Sequence, residues 1–283
     1  MCYEAPDRRT FGKFLAAAGT LTALAACSPG RSPSTALSAP GPSEPASTGA
    51  TGRTASATPS ATASSATPSA TAAPAPSAAA PGPQHSLDDP ASPWVVVNKH
   101  RPLVPATFVP PDLVQPAVSL AVSGEAALLN STTAGAAEAM FAAAAAGGVV
   151  LTLASGYRSY STQIATYNTW VSTEGQAAAD TASARPGYSE HQTGWAFDIG
   201  DGSGACGFEP CFAEQPAAVW ARENAHRFGF VVRYPWMLHE VTGYYYEPWH
   251  LRYIGPGPAT DMKTRGIATL EQYFGLEAAP AYL

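Results

Sequence analysis

Hydrophobic and polar positions divide this 283-residue chain into three stretches. Phe14 to Ala26 is a 13-residue run without charge. Residues 28–85 then lose almost every large apolar side chain. They hold no Trp, Tyr, Phe, Val, Ile or Met, and a single Leu, Leu37. From residue 86 onward Trp, Tyr, Phe and Val recur, over about 195 residues, enough for one sizeable core. The middle stretch is dominated by Ala, Ser, Thr, Pro and Gly, with ATPSAT at Ala57 and again at Ala66. It buries too little apolar surface to offset its chain entropy. The expected organisation is a leader at 1–27, a disordered tether at 28–85 and one folded domain at 86–283.

Within the domain the periodicity switches repeatedly. Val95 to Val97 reads as a short strand, followed by a proline-rich extended arm to Pro111. Ser131 to Ala146 reads as a helix capped by Ser131 or Thr132 and closed by Gly147 and Gly148. Val149 to Ala154 is β-branched and reads as a strand, followed by a loop over Ser155 to Ser159. Ile164, Tyr167 and Val171 lie at helical spacing within Ser161 to Ser172. Glu174 to Pro186 reads as a polar loop, and Trp195 to Ile199 as a strand. Pro216 opens a helix through Phe228, ended by Gly229. Phe230 to Val232 and Tyr244 to Tyr253 read as strands, and Ala259 to Phe274 as a helix interrupted near Gly266. Helices and strands mix without regular βαβ alternation. The expected fold class is α+β, with a small, largely antiparallel sheet flanked by helices.

Charge adds an exclusion. The formal net charge is −6 and the pI near 5.5. No Lys/Arg run exists, so nucleic acid is not an expected partner. The apolar run at Phe14 is too short to span a membrane, which takes about 20 residues. Arg8 and Arg9 before Thr10 and Phe11 resemble a twin-arginine export signal. Leu24, Ala25, Ala26 and Cys27 resemble a bacterial lipobox, with Cys27 acylated as the mature N-terminus. A tether of about 58 residues would span roughly 40 Å r.m.s., and on the order of 190 Å when stretched. The expected location is the outer face of the cytoplasmic membrane or the cell wall, with membrane contact only through that lipid. Of the four cysteines Cys2 lies in the leader, and Cys206 and Cys211 read in an exported protein as a disulfide closing a small loop, with a two-thiolate metal site as the alternative.

The candidate chemistry lies in RPGYSEHQTGWAFDIG, Arg185 to Gly200, and YEPWH, Tyr246 to His250. These supply His191, Asp198 and His250, three plausible zinc ligands, with Glu247 close by. A catalytic zinc commonly takes three His or acid ligands and keeps one open position. Asp198 sits between apolar residues in FDI, where a carboxylate is costly unless paired or metal-bound. In a regular strand Glu247 and His250 would face opposite sides; Pro248 between them should bend or end the pairing.

Three motifs carry a family resemblance: SGYRSxxxQ from Ser155 to Gln163, SxHxxGxAxD from Ser189 to Asp198, and ExWH from Glu247 to His250. The chain resembles VanY-type D-alanyl-D-alanine carboxypeptidases of the LAS group of zinc metallopeptidases, over roughly residues 93 to 276. The resemblance implies a LAS/hedgehog-like fold and one zinc per domain on His191, Asp198 and His250. It implies Glu247 as general acid–base, and Arg158 as the group that meets an anion. Ser189 and Gln163 are expected to bind substrate amides, and Tyr157 and Trp249 to line the pocket. His85, His100, His226 and His239 are expected to be non-catalytic, and Asp201, Glu209, Glu214 and Glu240 to be solvated acids. The implied substrate is a peptidoglycan stem peptide ending in D-Ala-D-Ala, cleaved by a monomer. L,D-carboxypeptidase, dipeptidase or endopeptidase activity is the nearest alternative, and a non-catalytic wall- or partner-binding module the distant one.

Overall fold

The computed structural model describes residues 85–283. The export leader, Cys27 and all of the tether except His85 lie outside the described residues. The strands are β1 (Leu113–Val114), β2 (Leu129–Asn130), β3 (Leu151–Ser155), β4 (Ala196–Asp201), β5 (Phe230–Tyr234) and β6 (Glu247–Tyr253). The helices are α1 (Ser131–Ala146), α2 (Tyr160–Glu174), α3 (Gln176–Ala182), α4 (Pro216–Asn224), α5 (His239–Thr242), α6 (Pro256–Arg265) and α7 (Leu270–Phe274). β1 and β2 form a small ribbon; the main sheet has the order β3-β4-β6-β5, and all its pairings are antiparallel.

The strand period of two gives this sheet two different faces. Phe197 and Ile199 of β4, Leu251 of β6 and Phe230 of β5 point into one apolar core. That core is closed by Ala137, Met140, Phe141 and Ala144 of α1 and by Ala217, Ala218 and Ala221 of α4. The alternate positions, Asp198, His250 and Arg252, face the other way and are also buried. The polar face of the sheet therefore needs partners other than apolar ones.

Several local expectations change. Val95 to Val97 is buried but is not a strand. Its backbone groups are satisfied elsewhere: Val95 O accepts from Arg252 Nη2, Val96 O from Arg101 Nε, and Val96 N donates to Leu87 O. The α1 cap is Asn130, whose side chain accepts from the Thr132 and Thr133 amides, rather than Ser131 or Thr132. Val149 is not in β3, because its N–H closes the helix end on Ala144 O.

The expected loop at Glu174–Pro186 contains α3. Tyr167 and Arg185 converge on Asp180 at 2.6 and 2.8 Å and hold that helix against α2. Residues 244–246 precede β6 rather than belong to it. The helix from Pro216 becomes a 3₁₀ turn over Ala225–Phe228. The terminal helix is two helices, parted at Gly266 with φ +66.

Candidate active site

Register brings two candidate ligands together: Asp198 and His250 are directly paired across β4 and β6. His191 arrives from a 3₁₀ turn, Glu190–Thr193. That turn ends at Gly194, whose φ of +69 favours glycine and where a Cβ would lie 2.8 Å from Asn130 N. Gly156 is needed for close approach, since a Cβ there would lie 2.5 Å from Leu128 O. Its carbonyl accepts from His191 Nδ1 at 2.8 Å, so Nδ1 carries the proton. His191 Nε2 is then free and lies 3.4 Å from Asp198 Oδ2.

His250 turns Nδ1 toward Asp198 Oδ1, 3.1 Å away, and Nε2 toward Glu190 Oε2, 3.3 Å away. One donor atom from each of His191, Asp198 and His250 lies within 4.8 Å of the others, and all three residues are buried. Asp198 Oδ1, though close to His250, lacks an aligned hydrogen bond and is an orphaned buried oxygen. A buried carboxylate oxygen without a donor is costly. Two imidazoles and a carboxylate converging on one point fit a divalent cation, and the donor set suits zinc.

The electrostatics agree. Burial pushes His191 down to about 4, so it is neutral at physiological pH. Burial alone would also depress His250, but the facing carboxylates of Asp198 and Glu190 and the nearby Glu247 charge hold it up at about 9. A divalent cation held by these groups would compete with a proton on His250. Burial pushes Glu247 up to about 8; a cation in the triad would draw it back down.

Glu247 reaches the triad through an irregularity in β6. Val232 pairs with Leu251 and Tyr234 with Glu247, so two steps along β5 match four along β6. The extra length, which includes Pro248, brings Glu247 Oε2 to 3.6 Å from His250 Nδ1. Its side chain remains 18% exposed, against 5% for Asp198, so it lies on the solvent side of the site.

Arg158 faces the same charges. Burial lowers its pKa while Asp198, Glu247 and Glu125 oppose the shift. Its guanidinium donates to Gln163 Oε1 at 3.2 Å and to Ser155 Oγ at 3.1 Å. Gln163, expected as a substrate contact, is fully buried. Its amide also donates to Ser183 Oγ and Ala184 O, so in this structure it positions Arg158. Trp249, expected to line the pocket, points to the core face and packs on Phe208 and Phe212, because it is out of phase with His250. Tyr157 and Ser189 are buried beside the two motif turns.

Cys206 and Cys211 are joined by a disulfide. Asp201, expected to be solvated, accepts from Ser203 and from the Ala217 amide in the first turn of α4. Among the described residues, none of the other histidines joins the metal cluster. His85 packs on Trp94, His100 meets Glu277, and His239 meets Glu240.

Sequence reasoning missed a buried ionic group under the site. Glu190 binds Arg233 Nε at 2.8 Å and Arg252 Nη1 at 3.3 Å. Arg233 also binds Glu271. The only available signal was an acid immediately before a candidate ligand, which alone says little.

Comparison with known proteins gives the same picture. The family described as VanY, D-alanyl-D-alanine carboxypeptidase, matches residues 126–256. A putative carboxypeptidase, YodJ of Bacillus subtilis, is 36% identical over 191 residues, covering 67% of this chain and 69% of that protein. The chain belongs to the LAS group of zinc metallopeptidases. Within it the chain is related to VanY, LdcB and DacB. The solved LdcB LD-carboxypeptidase is 38% identical with a TM-score of 0.62, covering 66% of this chain and 87% of that one. A mutant of the D,D-pentapeptidase VanY from the VanB-type resistance cassette, in complex with Zn(II), is 34% identical with a TM-score of 0.53. That match covers 64% of this chain and 97% of the other. The small antiparallel sheet flanked by helices is the LAS/hedgehog-like fold of these structures. The chain is thus a zinc metallopeptidase of carboxypeptidase type, and its His/Asp/His triad is geometrically consistent with a mononuclear zinc site.

Proposed function

We propose that this LAS-group enzyme is a D,D-carboxypeptidase that removes the terminal D-alanine from peptidoglycan stem peptides outside the cytoplasmic membrane. The observation that carries this reading is Glu247, a solvent-reachable carboxylate at the rim of a buried His/Asp/His triad, with Arg158 beside it. His191, Asp198 and His250 would hold the metal. A zinc ion bound there supplies Lewis-acid polarisation of the scissile carbonyl and makes water easier to deprotonate.

Glu247 takes the proton from water as the new C–O bond forms. It returns that proton to the amine of the departing D-alanine as the C–N bond breaks. Arg158 stabilises the oxyanion of the tetrahedral species with directed donors. Gln163 keeps the Arg158 fork in place. Because water attacks directly, no acyl-enzyme forms and β-lactams do not trap the enzyme covalently.

The likeness to LdcB keeps one second reading open: the same machinery acting on an L,D bond. Digestion of purified muropeptides with mass identification of the released fragment separates the two. Release of D-alanine from a pentapeptide stem supports the D,D reading; release only from a tetrapeptide stem replaces it with the L,D reading. The accompanying reading of the N-terminal region is an exported, monomeric lipoprotein acylated on Cys27, with residues 28–85 as the tether that lets the membrane-bound domain sample the wall. Radiolabelling with palmitate tests the anchor, with globomycin expected to leave the labelled protein uncleaved, and a Cys27→Ser protein that still labels refutes it.

A further inference from the structure

Glu190 has two carboxylate oxygens with separate duties. Oε2 lies 3.3 Å from His250 Nε2. Oε1 accepts from Arg233 Nε at 2.8 Å and from Arg252 Nη1 at 3.3 Å. The side chains of Glu190, Arg233 and Arg252 have no exposure at all. Arg233 is held in turn by both oxygens of Glu271, and Asn98 donates to Glu271 Oε1. Arg252 also donates to the carbonyls of Pro93 and Val95. A buried carboxylate with this many fixed donors has one position. The imidazole it faces therefore has one orientation, with Nδ1 aimed at Asp198.

We propose that Glu190 is a positioning residue for the metal: it fixes the ring and tautomer of His250 and, through its negative charge, strengthens that imidazole as a ligand. This rests on the triad being the metal site. Outer carboxylates on ligand histidines act in this way generally, and their loss typically lowers metal affinity by about 10–100-fold. The arrangement also explains why Glu190 precedes His191. One short turn presents His191 to the cation directly and His250 through Glu190. Asn98 and Glu271, outside the segment that matches the family, then hold Arg233 and Glu190 from behind.

The test uses the full-length protein and zinc titrated against a chromophoric chelator. Circular dichroism and thermal melting run alongside. Glu190→Gln keeps an acceptor but loses the charge; Glu190→Asp keeps the charge but withdraws it from His250. Glu271→Gln perturbs the same ionic group without touching a ligand. The expected result is a zinc Kd raised about 10–100-fold in both Glu190 variants, a changed Co(II) absorption spectrum, and a smaller loss in Glu271→Gln, which acts only through Arg233. If Glu190→Gln does not fold, the Asp variant decides. A folded Glu190 variant that binds zinc as tightly as wild type with an unchanged Co(II) spectrum overturns the proposal. Equal loss in Glu271→Gln also overturns it, since the effect would then be structural. Wild-type protein that binds no zinc would instead refute the triad itself.

Discussion

Replacing Glu247 with Gln separates catalysis from metal binding. The side chain keeps its size and its hydrogen-bonding reach but cannot accept a proton from water. Glu247 lies 3.6 Å from His250 Nδ1 and is not one of the three converging donors. The metal ligands therefore survive the change. Gln also removes a charge that burial disfavours, so the fold should not suffer. General acid–base catalysis typically contributes about 10²–10⁴-fold, or roughly 2.7–5.4 kcal/mol of barrier at 1.36 kcal/mol per tenfold. The assay is kcat and KM for a Lys-D-Ala-D-Ala peptide at saturating zinc, with metal content measured on the same sample. The expected result is one zinc per chain, a KM near wild type and kcat lowered at least about 100-fold. A variant within tenfold of wild-type kcat would refute the role of Glu247. Loss of zinc would make it a ligand instead.

Other perturbations read different parts of the account. Arg158→Lys keeps the charge but loses the planar fork, so kcat/KM should fall at least about tenfold with zinc content unchanged; an unaffected rate would remove Arg158 from the chemistry. Burial would raise the Glu271 carboxyl, but the Arg233 charge and hydrogen bonds hold it below the usual range. Its stabilisation is therefore present above about pH 4.5 and lost as pH falls through its folded value. Urea unfolding of Glu271→Gln should show a deficit of about 3–5 kcal/mol at pH 7 that narrows toward pH 3; a deficit independent of pH would contradict this. Replacing both Cys206 and Cys211 with Ser opens a loop of sequence separation 5 and should cost about 2 kcal/mol. A non-reducing peptide map of wild type that finds Cys206 and Cys211 both as free thiols would exclude the bond.

The parts of this structure that follow from local pattern were legible in the sequence. The Ala-rich run of α1, the β-branched run before Ser155 and the proline at the start of α4 each mark an element without help from distant residues. The two motifs that carry the His/Asp/His triad were legible because their residue types and spacing are restrictive. What escaped depends on partners far along the chain. Val95 to Val97 has strand composition, yet its carbonyls accept from Arg101 and Arg252 side chains instead of a ladder. Trp249 looked like a pocket residue, but phase along β6 sends it to the core while His250 faces the metal. The α3 helix is short and Ala-rich, and it is fixed by Asp180 contacts that no local pattern reveals. Glu190, Arg233 and Glu271 are widely separated in sequence and meet only because Arg233 and Arg252 extend from adjacent strands.

The most direct measurement is mass spectrometry of a Lys-D-Ala-D-Ala peptide after incubation with the full-length protein as purified, after chelation and after zinc is restored. The account predicts loss of a single alanine, abolished by the chelator and recovered with zinc. Cleavage that persists after complete metal removal, or no cleavage by protein shown to hold one zinc, would contradict it.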